Sequence, residues 1–246
     1  MVKAGFESFE LITSDDPAGE VVGLIAEVAG GAPASLLLTG GSQAELVYPR
    51  LFPAIATEPA LSRLRLYVGD ERVVPLGDPD SNTSTLDAIA GAPKGAGEIL
   101  SPVRAFADEL RTSAAQGEIP SEQALEEILA WWSLELLAAP RPRIVHLGLG
   151  PDGHVASIFP HPADLALATP ECQVSLDATG LNRHLRLSVT MDYIDEADLV
   201  ILGATGAPKG QVLKAVLEDP ASYPAGRLQP KRLMVVIDRD AQAAMA

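Results

Sequence analysis

The chain has 246 residues, 47% of them hydrophobic and 4% aromatic, which suffices for one large domain with an aliphatic core. Its net charge is −15 at pH 7, and Lys3, Lys94, Lys209, Lys214 and Lys231 are its only lysines. That balance argues against nucleic acid and anionic membranes, which need a basic face, but not against a small anionic substrate held by a few gathered cations.

Cys172 is the only cysteine, so no internal disulfide is available; a buried structural thiol in a reducing compartment fits it. No apolar run reaches the roughly 18 residues of a membrane span. The first residues lack a basic segment followed by an apolar core. The expectation is a soluble, cytoplasmic protein.

In chain order, Ala18 to Ala29 carries apolar residues at helical spacing, with Pro17 suited to the first turn. Leu36 to Thr39 reads as a strand stopped by Gly40 and Gly41, and Ser42 as the cap of a helix running into the fifties. Pro49 predicts a kink or an early end there. Leu64 to Val68 is a second strand. Asp70-Glu71-Arg72 follows it as a charged turn, with Ser81 or Asn82 capping the next helix. Gly91 to Gly97 and Arg111 to Pro120 read as loops. Ser121 to Ala138 is a long helix whose Trp131 and Trp132 suit packing at the core and its boundary. Arg143 to Leu147 is a buried strand, and Leu185 to Val189 alternates like a more exposed one. Leu199 to Leu202 and Leu233 to Ile237 are buried strands separated by a helix from about Lys209 to Leu217.

Strands alternating with helices predict an α/β fold, a three-layer α/β/α Rossmann-like arrangement with a mostly parallel sheet and a small additional strand-containing region. No linker or repeat divides the chain, so residues 1–246 are expected to form a single domain.

Four candidate sites fall where strands end, the edge at which open α/β sheets bind ligands. Gly40, Gly41 and Ser42 can offer backbone N–H groups to a phosphate or an oxyanion. Arg72 can fork onto a phosphate or carboxylate, and Asp70 can orient a histidine. In Gly148 to Phe159, read GLGPDGHVASIF, Asp152 and His154 follow a tight glycine turn, and a histidine there can move protons near neutral pH. Lys209 opens a helix after Gly203 to Pro208, with Arg186 as a further cation. Each has a plainer reading as a turn, a cap or a surface charge. The spacing of His, Cys and acids gives no metal pattern, so neither a metal nor a cofactor is expected.

Together these segments resemble the 6-phosphogluconolactonase family. GDERVVP followed by DSN is similar to that family's DER-x-VP…SN element, GLGPDGHVASIFP to its G-x-G-x-DGH-x-AS-[LI]-FP element, TGGS to its SGGS loop, and the Gly203–Lys209 segment to its G-x-x-K stretch. The resemblance spans about residues 18 to 240 and implies a fold shared with glucosamine-6-phosphate deaminases and ribose-5-phosphate isomerases. Thr39 stands where the family has Ser, and Gln43-Ala44 where it commonly has Thr-Pro, which touches the loop and the helix entrance. Deaminases continue their DGH with IAFNEP. This chain continues Val155 to Pro160 and lacks that acid, which favours the lactonase over a sugar-phosphate deaminase or isomerase.

The resemblance implies hydrolysis of 6-phospho-D-glucono-1,5-lactone, with His154 as general base on a water. Asp70 is placed ahead of Asp152 as the carboxylate that orients His154. Gly40, Gly41 and Ser42 would stabilise the oxyanion, and Arg72 and Lys209, with Arg186 or Arg183, would hold the 6-phosphate. The expected partner is that small sugar-phosphate lactone, on a monomer or weak homodimer. A non-catalytic sugar-phosphate binding protein would keep the cations and have no need of His154.

Overall fold

The computed structural model describes residues 9–91 and 98–246. Along the chain run β1 (Glu10–Thr13), α1 (Pro17–Ala29), β2 (Ala34–Leu38), α2 (Gly41–Thr57), β3 (Leu64–Val68), β4 (Asp70–Arg72), α3 (Asn82–Ala90) and β5 (Ile99–Leu100). There follow α4 (Pro102–Ala105), α5 (Ala107–Ala115), α6 (Glu122–Leu137), β6 (Arg143–Gly148), β7 (Cys172–Ser175) and β8 (Arg186–Val189). The chain closes with α7 (Met191–Asp195), β9 (Leu199–Ala204), α8 (Ala207–Glu218), β10 (Leu233–Ile237) and α9 (Arg239–Met245).

Seven strands form one sheet in the order β1-β10-β9-β6-β2-β3-β5, with every neighbour parallel. Residues of β2, β9 and β10 are buried without exception, as strands covered on both faces must be. Alternate residues feed two cores. Leu37, Val145, Val200 and Val235 pack with α6 and α8 on one face. Leu36, Ile144, Ile201 and Val236 pack with α1 and α2 on the other. This is the expected three-layer arrangement. The additional strand region is an antiparallel sheet of order β4-β8-β7.

From β2 the chain proceeds outward through β3 to β5; from β6 it proceeds the opposite way through β9 to β10. The switch point lies between β2 and β6, and a crevice opens at their carboxyl ends.

Several sequence expectations need correction. Helix α2 does not stop at Pro49; it continues through Pro49 and Pro53 to Thr57. Both prolines face solvent, where the carbonyls they leave unpaired can be hydrated, while Val47, Tyr48, Leu51, Phe52 and Ile55 are buried along the opposite face. Ser42 is not its cap: the N-cap is Gly40, and no side chain caps the first turn. The Arg111–Pro120 loop is shorter than expected, because α5 runs to Ala115 with Leu110 in the core. The charged segment Asp70–Arg72 is a short strand. Strand β8 is not exposed on alternate residues but buried on all four, because its polar residues face other polar groups across the small sheet. The Gly91–Gly97 loop lies outside the described residues from 92 onward.

Cys172 is a buried free thiol whose proton burial makes harder to lose, raising it to about 11. Trp132 is buried, and Trp131 stacks on it at 5.7 Å between ring centroids. Among the described residues no helix is long and apolar enough to cross a membrane.

Candidate active site

The crevice at the switch point is a cleft of about 240 Å³. Gly40, Gly41, Ser42, Asp70, Arg72, His154, Arg186 and Lys209 all line it, although they come from five separate stretches of chain.

The loop after β6 is shaped by its glycines. Gly153 has φ of 78°, in the left-handed region, and donates its N–H to the Gly150 carbonyl at 3.1 Å. The Gly150 N–H donates to the His154 carbonyl at 2.8 Å. A Cβ on Gly150 would overlap the His154 ring, so the absence of a side chain there admits the imidazole.

Nδ1 of His154 lies 2.5 Å from Oδ1 of Asp152, and Phe159 meets the ring edge-on at 5.3 Å. Burial alone would raise the Asp152 carboxyl, but the hydrogen bond and charge of His154, with backbone N–H groups, hold it below the ordinary carboxylate range. An ionised Asp152 accepts a hydrogen bond from the N–H at Nδ1. Nε2 is then the nitrogen with a free lone pair.

Asp70 does not contact His154, contrary to the preference expressed from sequence. Its Oδ2 accepts from Ser157 Oγ at 2.6 Å and lies 3.7 Å from Nη1 of Arg186. Ser157 N–H in turn donates to Ser188 Oγ at 3.1 Å. Asp70 therefore holds the far end of the histidine loop, where Ala156 takes φ of 48°, against the small sheet. Asp152 was close in sequence to His154; Asp70 was close only by motif.

The other two charges of Asp70-Glu71-Arg72 have separate tasks. Glu71 is 0% exposed and accepts from the N–H groups of Arg72, Asn82 and Thr83 and from the hydroxyls of Ser81 and Thr83. Burial pushes its carboxyl up, and those hydrogen bonds oppose the shift. It fastens the start of α3, with Ser81 as N-cap, to β4. Asn82 then donates from Nδ2 to the Asp70 carbonyl at 2.8 Å, and its amide lies so close under Gly40 that a Cβ there would overlap it. Gly41, at φ of 62°, turns the chain into α2, whose leading N–H groups have no side-chain cap.

The cations approach from the other sides. Arg72 donates from Nη1 to the Asp80 carbonyl at 2.6 Å. Arg186 is buried; desolvation lowers its affinity for a proton, and Asp70 opposes that. Lys209 stands in the first turn of α8, where burial lowers it and the charge of Asp152 opposes the shift. Of the two arginines left open by sequence, Arg186 lines the cleft. Arg183 is exposed and pairs with Asp80 at 3.3 Å, in the neighbouring groove. Gln43 and Asn182 also line the cleft, and neither was singled out as a site residue from sequence. For Gln43 the signal was visible as a departure from the family pattern.

The profile of the family described as glucosamine-6-phosphate isomerases/6-phosphogluconolactonase matches residues 15–237. An α/β fold with a crevice at its switch point, lined by a histidine, anion-binding loops and cations, is what the site defines by class. The chain belongs to this family. A Mycobacterium tuberculosis protein named 6-phosphogluconolactonase is 28% identical over 235 residues, covering 92% of this chain and 91% of that one. A Treponema pallidum protein of the same name is 32% identical over 198 residues, covering 77% and 75%. Among solved structures, 6-phosphogluconolactonase from Trypanosoma cruzi superposes with a TM-score of 0.75 at 22% identity, covering 97% of each chain. A monomeric glucosamine-6-phosphate deaminase superposes at 0.69 and 18% identity, covering 96% of this chain and 100% of its own, so the fold is common to both activities.

Proposed function

We propose that the protein is a 6-phosphogluconolactonase, hydrolysing 6-phospho-D-glucono-1,5-lactone to 6-phosphogluconate. The relatives of that name support the activity. The observation that carries the mechanism is the His154–Asp152 pair at a cleft that also receives an uncapped helix start and three cations.

Nε2 of His154 removes a proton from water as the water oxygen bonds to the lactone carbonyl carbon. The carbonyl oxygen becomes an alkoxide facing the N–H groups of Gly41 and Ser42; one such donor is worth roughly 3–4 kcal/mol in the transition state. The intermediate collapses by breaking the bond from C1 to the ring oxygen, and the imidazolium returns its proton to that oxygen. The ring opens to a hydroxyl and a carboxylic acid, which then ionises to solvent. Asp152 stabilises the imidazolium between these two transfers. A lactone is an activated ester, so these groups suffice without a covalent intermediate.

Arg72, Arg186 and Lys209 hold the 6-phosphate, and that remote binding places the ester at His154. The arrangement also reconciles an acidic protein with an anionic substrate, because these three cations gather in one cleft. One chain supplies every group used, so a single domain acting as a monomer or weak homodimer suffices. The net charge of −15 is unfavourable for nucleic acid, and a cytoplasmic location suits a sugar phosphate.

The test is turnover of freshly generated lactone by the purified protein, followed as acid release above the spontaneous rate, with glucosamine 6-phosphate run in parallel. Acceleration of lactone opening alone supports the reading. Ammonia release from glucosamine 6-phosphate without lactone opening overturns it in favour of the deaminase.

A further inference from the structure

Gln43 stands where the family pattern has threonine, and the structure puts its side chain to a use that a threonine could not reach. It leaves the first turn of α2, is 4% exposed, and donates from Nε2 to Thr205 Oγ1 at 3.0 Å. Thr205 belongs to the loop between β9 and α8, and β6 lies between β2 and β9 in the sheet. The carboxamide therefore crosses the carboxyl end of an entire strand.

Its path exists because two strand-end residues have no side chain. Gly148 and Gly203 are register partners on β6 and β9. A Cβ on Gly148 would come within 3.4 Å of Gln43 Cγ, and one on Gly203 would overlap Gln43 Oε1. From the other side the same loop is gripped by Asp238, whose two carboxylate oxygens accept the Gly206 N–H at 3.0 and 2.9 Å. Lys209 follows one turn later. A buried amide is costly unless its hydrogen bonds are used, and here the bond joins two anion-binding elements that the chain separates by 162 residues.

We propose that Gln43 is a positioning residue: through Thr205 it sets the spacing between the Gly40–Ser42 loop and the Lys209 end of α8, and so the fit of the cleft to a phosphorylated ligand. The choice of ligand rests on the lactonase reading; the tie itself does not.

The experiment compares the parent chain with Gln43→Ala, Thr205→Val, Gly203→Ala and the double variant Gln43→Ala/Gly203→Ala. Affinities for 6-phosphogluconate and for inorganic phosphate are measured by calorimetry, with unfolding midpoints alongside. Gly203→Ala displaces only the flexible end of Gln43, so it breaks the tie from the opposite side without rebuilding the backbone. Each single variant is expected to weaken 6-phosphogluconate binding about three- to tenfold, the range of one net hydrogen bond. The double variant is expected to be no weaker than either single one, because both remove the same contact. In lactone turnover KM rises with the lost affinity, and kcat falls as well, because the tied loop carries the Gly41 and Ser42 N–H groups that face the alkoxide. Unchanged affinity in Gln43→Ala with a lowered unfolding midpoint overturns the proposal, as does an additive double variant. If the parent binds inorganic phosphate but not 6-phosphogluconate, the lactonase reading fails, and the phosphate affinities of the same variants still decide the tie.

Discussion

Nδ1 of His154 lies 2.5 Å from Oδ1 of Asp152, two residues back along one glycine-rich loop. The pair is local in sequence, so it depends on little beyond that loop for its geometry. Its consequence is chemical: the carboxylate fixes which imidazole nitrogen carries the proton and leaves the other free for water. The loop is in turn held at its far end by Ser157 on Asp70.

Asp152→Asn is therefore expected to lower kcat roughly 10²–10⁴-fold, the usual worth of a positioned acid–base group, while the affinity for 6-phosphogluconate changes little. Steady-state kinetics with calorimetric binding checks both. Since Asp152 is held below the ordinary carboxylate range, it stays ionised as pH falls through that range. Loss of its charge is thus not expected to shape the parent's rate profile above about pH 4. A parent profile that follows a carboxylate titration at higher pH would contradict this.

Lys209→Ala is expected to raise KM for the phosphorylated lactone by about ten- to a hundredfold, the loss of a charge-assisted bond of about 1.5–3 kcal/mol. The same variant should hydrolyse unphosphorylated glucono-1,5-lactone about as well as the parent. Equal losses on both substrates would place Lys209 at the reacting centre instead of the phosphate.

A buried group away from the cleft makes acid stability predictable. The Tyr48 hydroxyl accepts the Thr39 N–H at 2.8 Å and shares a hydrogen bond with Nδ1 of His146 at 2.9 Å, under the start of the anion loop. Burial drives the His146 ring down to about 3. The folded state then resists a proton that the unfolded chain accepts near pH 6.5. The stabilising difference is fully present above about pH 6.5 and is lost progressively as pH falls toward 3, at up to about 1.4 kcal/mol per pH unit. Urea unfolding at pH 7.5 and pH 5 reads it, and His146→Gln should flatten the dependence. An equal slope in parent and variant would contradict it.

What was legible in the sequence follows from how local each feature is. Strands β9 and β10 are continuous apolar runs because helices cover them, while β2 is broken only by Ser35 and β3 only by the exposed Arg65, so all four stand out in the sequence. Strand β4 is only three charged residues, and Glu71 looks solvated until the donors of residues 81 to 83 are folded onto it. The prolines of α2 mislead because their cost depends on which face they occupy, and spacing alone did not settle that at Pro49. In the site, His154 and the glycines announce themselves within one motif. The roles of Asp70 and Gln43 depend on partners 87 and 162 residues away, and no local pattern carries that.

The most direct measurement is kcat/KM for fresh 6-phosphogluconolactone in the parent and in His154→Ala, both shown to be folded and to bind 6-phosphogluconate. The account predicts that the variant retains binding and loses roughly 10²–10⁴-fold in turnover. A His154→Ala protein that opens the lactone as fast as the parent would contradict it.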